Sequence, residues 1–146
     1  MIVVNEVKFS FPSRSANEGF TRAAVSAFAA QLDPTLEEIG DIKTAVSEAV
    51  TNAIVHAYPD KLGVVYMRAR IVDGDVLEVV VKDKGRGIDD VERAMQPLFT
   101  TGGEERSGMG FTIMDSFMDK VRVRSSPGKG TSVHMKRRIV RRGQAD

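Results

Sequence analysis

Residues 47–56 read SEAVTNAIVH, and their spacing decides what kind of molecule this is. In a helix, Glu48, Asn52 and His56 fall at i, i+4 and i+8 and stand in one row beside an apolar stripe. Upstream, Thr35-Leu-Glu-Glu38 has the form of a capping box. Leu36, Ile39, Ile42, Val46, Ala49, Val50 and Ala53 then recur at helical spacing, so one long helix is expected to carry the row. A Glu and an Asn half-sunk in such a face are costly unless something pairs with them. Asn offers a neutral amide oxygen suited to a Mg²⁺ ion that already carries phosphate oxygens. Glu one turn earlier can orient or deprotonate a hydroxyl, a role worth roughly 10²–10⁴-fold in rate. Alone, however, the row reads first as a polar helix face making local hydrogen bonds.

Working outward, VKFSF alternates over 7–11 as a first strand. Ser15-Ala-Asn-Glu18 repeats the capping-box pattern before Phe20, Ala24, Ala27, Phe28 and Leu32, which predicts an amphipathic helix over 16–32. After Tyr58-Pro59-Asp60 the period becomes extended: GVVYMRARIV and VLEVVVKD flank Asp73-Gly74-Asp75, a hairpin signal. A short helix is expected over 88–96. A second is expected over 109–118, with Phe111, Met114, Phe117 and Met118 inside. VRVRSS and TSVHMKRR flank PGKG as a second hairpin. Residues 1–146 read as one domain, an α/β two-layer sandwich whose mixed, mostly antiparallel sheet is covered by helices on one face.

Three further segments carry chemistry. In VVVKDKGRGI (79–88) a hydrophobic strand ends on Asp83, a carboxylate able to accept from an exocyclic amino group, while Gly85 and Gly87 let backbone approach a ring. Asp-x-Gly is also an ordinary strand-ending turn. In LFTTGGEERSGMGF (98–111) glycines run into a helix start, where backbone N–H groups favour an anion. In SPGKGTSV (126–133), Lys129-Gly130-Thr131 lacks the spacing and the following helix of a phosphate-binding P-loop, and alone it is a hairpin turn.

Bulk properties exclude several classes. The chain holds 21 Lys and Arg against 20 Asp and Glu, for a net charge of +1, which makes no global case for nucleic acid as a partner. RRIVRR near the C-terminus is locally basic but has no interleaved aromatics and reads as a last strand or solvated tail. Without cysteine, disulfides and thiolate metal sites are excluded, as suits a reducing compartment. No signal peptide and no apolar run of about 20 residues is seen, so a cytoplasmic protein without membrane partners is expected.

In order, E-x-x-x-N on a helix, D-x-G-x-G after a strand, a Gly-x-Gly lid and a final G-x-G-T resemble the ATP-binding family of gyrase, Hsp90, histidine kinases and MutL. SEAVTNAIVHAY, QPLFTT and ERSGMGFTIMDSFMD are most similar to its small serine-kinase anti-sigma factors of sporulation, over nearly the whole chain. The resemblance implies a Bergerat-type ATP-binding fold and an ATP-dependent protein serine kinase. That kinase would sequester a sporulation sigma factor of the sigma-F kind and phosphorylate its anti-anti-sigma partner. It implies ATP/ADP and Mg²⁺ as cofactors, Glu48 as general base and Asn52 as the Mg²⁺ ligand. It also implies Asp83, Gly85, Gly87 and Thr131 around adenine, and Thr100, Thr101, Ser107, Gly108, Met109, Gly110 and Phe111 in the lid. Arg22 would touch the sigma factor, Arg106 a partner, and the protein would be a homodimer.

Two features depart from relatives: Ser47 stands where sensor histidine kinases commonly carry His, and Gly102-Gly103 replaces Lys-Pro in the lid. His134 reads as structural, and His56 is left without a role. Alternatives are a stress-response anti-sigma kinase with another sigma partner and a nucleotide-gated binding module without turnover.

Overall fold

The computed structural model describes residues 1–95 and 105–140, and for 105–109 the backbone alone. Five strands pair in the order β1-β2-β3-β5-β4. They are β1 (Val3–Pro12), β2 (Val64–Val72), β3 (Val76–Asp83), β4 (Lys120–Ser126) and β5 (Gly130–Arg138). Every pairing is antiparallel, so the sheet is not mixed as expected. Both hairpin signals form: β2–β3 turns at Asp73 and Gly74, each with positive φ, and β4–β5 turns at Gly128.

Three long helices cover one face: α1 (Ala16–Ala29, followed by a 3₁₀ turn to Leu32), α2 (Leu36–Thr51) and α4 (Glu105–Phe117). Helix α2 is central, packed on α1 and α4. Its Ile42, Val46 and Val50 are fully buried with Val65, Leu77, Val79 and Met135 of the sheet and Met114 of α4. Period-2 alternation on the strands and a 3.6-residue stripe on the helices meet in this one core.

The two capping boxes part company. Thr35 Oγ1 accepts from Glu38 N–H at 3.0 Å while Glu38 Oε1 accepts from Thr35 N–H at 2.8 Å, closing both bonds. Ser15 sits in helical φ/ψ and makes no side-chain cap. Glu18 instead accepts from Ser47 Oγ on α2 and pairs with Arg22 at 3.8 Å. A tertiary partner one helix away has taken the carboxylate that the local pattern reserved for the cap.

Other expectations shift by a few residues. The buried stripe of α1 is Thr21, Val25 and Ala29, rotated from the expected face. Phe20 is left 58% exposed, with its ring edge-on to Phe9 of β1 at 5.9 Å. Leu36, at the first position of α2, is exposed rather than inward, and Phe117 is also exposed. The helix expected over 88–96 shortens to α3 (Val91–Ala94), capped by Asp90 Oδ1 accepting from Arg93 N–H at 3.1 Å.

Candidate nucleotide site

Helix α2 does not continue regularly through the row that opened the reading. Residues Asn52–His56 form a π turn, closed by Ala57 N–H donating to Asn52 C=O at 3.3 Å, an i+5 bond. Such single π turns recur at functional sites, and nothing in the apolar periodicity signals this one. Beyond it the chain docks on the loop that follows β3. Arg86 N–H donates to Ala57 C=O at 3.0 Å. The Tyr58 hydroxyl accepts from Lys84 N–H at 2.6 Å and donates to Val64 C=O at 2.9 Å.

An open cavity of about 600 Å³ lies where α2, the β3 loop and the β4–β5 hairpin converge. That is within the range of small-molecule sites. Asn52, His56, Asp83, Gly87, Phe111 and Thr131 all line it. These include three residues from distant motifs, Asn52, Asp83 and Thr131, which the resemblance assigned to one ligand.

Asp83 is 6% exposed. Its Oδ1 accepts from Gly85 N–H at 2.9 Å and from Thr131 N–H at 3.2 Å, which ties the loop to the hairpin. Its Oδ2 takes no bond from a described residue. Burial raises the Asp83 pKa above its ordinary value, and the two N–H bonds pull it partly back. A ligand amino group donating to Oδ2 would relieve that burial. Gly87, at φ 76°, brings its backbone so close to Ser126 that a Cβ would sit 2.0 Å from the Ser126 carbonyl oxygen.

The other wall is α2 against α4. A Cβ placed on Gly110 would lie 3.3 Å from Asn52 Nδ2 and 3.4 Å from Glu48 Oε1. Glu48 and Asn52 thus flank the same glycine; Asn52 lines the cavity and Glu48 does not. No described residue hydrogen-bonds the Asn52 side chain. Among the described residues no cluster of three or more His, Cys, Asp or Glu is placed to hold a metal. Asn52 alone fits a Mg²⁺ ion whose remaining ligands are phosphate oxygens and water.

Helix α4 begins at Glu105 rather than at 109, so Gly108 and Gly110 lie inside its first turns. Thr100, Thr101 and Gly102-Gly103 fall outside the described residues, as do the side chains of Arg106, Ser107 and Met109. Arg22 is half-exposed on α1, away from the cavity, and pairs with Glu18 at 3.8 Å. His134 is on β5, hydrogen-bonded to Ser132 at 2.9 Å.

Sequence reading missed Ser125. Its hydroxyl accepts from Ile88 N–H at 2.8 Å and meets Gly130 C=O at 3.0 Å and Thr131 Oγ1 at 2.8 Å. A serine at the end of a strand carries no motif, so only the fold reveals it.

The family described as Histidine kinase-like ATPase domain matches residues 11–137. The anti-sigma F factor of Caldanaerobacter subterraneus subsp. tengcongensis is 59% identical over 94% of this chain and 96% of its own length. That of Halalkalibacterium halodurans is 56% identical over 94% of each. Among solved structures, the RsbU and RsbW domains of a Mycobacterium tuberculosis protein superpose with a TM-score of 0.69 at 19% identity, over 93% of this chain and 32% of that one. The histidine kinase domain of an Erythrobacter litoralis blue-light-activated kinase gives 0.58 at 25% identity, over 85% of this chain and 60% of that one. The first structural likeness speaks to the fold alone. With a nucleotide-sized cavity built from the E-x-x-x-N, D-x-G-x-G and G-x-G-T motifs, the chain belongs to the anti-sigma F factors, within the histidine kinase-like ATPase domain family.

Proposed function

We propose that this chain sequesters the sporulation sigma factor sigma-F and uses ATP to phosphorylate a serine of the anti-anti-sigma protein that displaces it. One observation carries the reading. Asn52 and Asp83 present to one cavity polar atoms that no described residue hydrogen-bonds, and Glu48 stands one turn from Asn52 beside Gly110. A module that only bound nucleotide would need Asn52 and Asp83 but no base.

Asp83 Oδ2 accepts from the adenine amino group, with Gly85, Gly87 and Thr131 shaping the ring's surroundings. Asn52 Oδ1 holds Mg²⁺, which when bound neutralises phosphate charge. The start of α4, with Ser107, Gly108, Met109, Gly110 and Phe111, closes on the phosphates. Thr100 and Thr101 precede it. Glu48 aligns the substrate serine and takes its proton as the serine oxygen bonds to the γ-phosphorus and ADP leaves.

Val3 and Val4 on edge strand β1 are exposed, as is Phe20 on α1, an apolar margin that supports the homodimer. Arg22 beside it is the sigma contact and Arg106 the second partner contact. Among the described residues no helix is long and apolar enough to cross a membrane, in keeping with the cytoplasmic location proposed here. Exchanging partners tenfold with nucleotide state requires only about 1.4 kcal/mol of differential contact.

The test is incubation with Mg-ATP and the anti-anti-sigma protein, followed by mass spectrometry. Phosphoserine on the partner is expected. Nucleotide binding without any phosphoserine would leave the non-catalytic module instead. Co-purification of a different sigma factor from the native cell would point to the stress-response kinase.

A further inference from the structure

The side of the sheet turned away from the helices takes no part in the proposed reaction. Directly paired residues of antiparallel strands share a face, so the register sorts that side into rows. Ser10, Tyr66, Lys82, Ser132 and Arg124 form one row; Lys8, Arg68, Val80, His134 and Arg122 form the next. Glu6, Arg70, Glu78, Lys136 and Lys120 form the third. These rows set eight cations against two carboxylates, in a chain whose totals are 21 and 20. The overall balance conceals a face of nearly one sign.

Part of that charge is neutralised in place. Glu78, buried at the centre, is contacted by Arg68, Arg70 and Lys136. Among the described residues no ion pair engages Lys82, Lys120, Arg122 or Arg124. Lys120, Arg122 and Arg124 alternate along β4, which spaces them about 6.8 Å apart. That is twice the roughly 3.4 Å axial spacing of phosphates on one DNA strand. A shallow depression of about 200 Å³ lies among them, with His134, Lys136 and the neutralised Glu78. The His134 pKa is lowered, first by burial and then by Arg68, Arg124 and Arg122 outweighing Glu78, as a positive local field requires.

We propose that this open sheet face is a nucleic-acid-binding surface that takes the phosphate backbone without reading sequence. A protein partner is disfavoured by composition, because interface cores are depleted in Lys and anchored by aromatic side chains. Here the single Phe, Tyr or Trp on the three rows, Tyr66, is covered by the Lys84 ammonium at 5.1 Å, and the His134 imidazole is hydrogen-bonded to Ser132. With no Phe, Tyr or Trp ring left uncovered, base stacking is equally disfavoured, which leaves the backbone as the ligand. Charge on β4 also guards an edge strand against pairing, but either sign serves that purpose. Lys82 and Lys136 lie on the inner strands β3 and β5, where no edge needs guarding.

The experiment is fluorescence anisotropy of the full chain with a labelled duplex of arbitrary sequence, from 50 to 200 mM NaCl. Four cations meeting four phosphates predict a log–log salt slope of about −3.6, so affinity falls roughly 100-fold over that range. In the Lys120→Gln/Arg122→Gln/Arg124→Gln variant the slope is expected to shrink to about −1 while ATP binding persists, which shows the fold intact. The proposal is overturned by absence of binding at 50 mM, or by unchanged binding in that variant. It is equally overturned if Arg141→Gln/Arg142→Gln alone abolishes binding, which would assign it to the C-terminal tail. A poly-glutamate peptide bound as tightly as the duplex would overturn it in favour of an acidic protein partner.

Discussion

The cavity has two walls of different construction. On the side proposed for adenine, Asp83, Gly85, Thr131 and Ser125 are joined by hydrogen bonds of 2.8–3.2 Å. On the α2–α4 side, Glu48 and Asn52 meet α4 by close approach at Gly110. One wall is a hydrogen-bonded loop and hairpin, the other a helix–helix contact. Affinity should therefore reside in the first and rate in the second.

The largest effect expected is at Glu48. Glu48→Gln should lower phosphotransfer by about 10²-fold or more, with nucleotide affinity unchanged by calorimetry. Full kinase activity in that variant, followed with labelled ATP, would break the division.

Next is Asp83→Asn, whose amide oxygen keeps the bonds to Gly85 and Thr131 but turns a donor toward adenine. A charged hydrogen bond of about 1.5–3 kcal/mol translates to roughly 10–100-fold weaker binding. The melting temperature should not fall. The folded Asp83 pKa lies above its unfolded value, so its charge opposes folding at neutral pH, and stability from this group rises as pH drops through the folded pKa. For the same reason, wild-type ATP affinity should weaken on acidification through that raised pKa, and Asp83→Asn should flatten the profile. A steep profile retained in the variant would place the titration elsewhere.

Gly110→Ala sharpens the comparison from the other wall. Its Cβ crowds Asn52 and Glu48 by a few tenths of an ångström, and about a tenfold loss of rate is expected. Ala should leave helix stability equal or better, by up to about 1 kcal/mol. A loss confined to affinity, measured by separating kcat from KM, would mean both walls do one job.

The smallest effects come from the capping boxes. Thr35→Ala should cost about 1 kcal/mol in chemical denaturation. Ser15→Ala should change stability by only a few tenths, since Ser15 caps nothing.

That last pair shows what was legible. S/T-x-x-E is a local pattern, and it was right at Thr35, where Glu38 closes the cap with Oε1 while its Oε2 accepts from Val140 N–H at 3.1 Å. It failed at Ser15, because Ser47 on another helix outbid the local N–H for Glu18. Strand alternation, the hairpin turns and the two-layer fold were readable, since each rests on periodicity alone. Asn52, Asp83 and Thr131 were readable as a set because their motifs follow in a familiar order. Tyr58 and Ser125 were not, because one hydroxyl gains its role only from backbone brought to it by other segments. The basic sheet face was invisible for a related reason. Its charges lie on five strands, and only register gathers them.

The π turn at Asn52–His56 acts as a rotational spacer. One surplus residue lets the preceding helix keep its buried stripe in phase while the chain beyond it is turned to present the Ala57 carbonyl to Arg86. Removing a residue there would not merely shorten the helix. It would reset the phase of all that follows, so this short stretch should tolerate changes of side chain far better than changes of length.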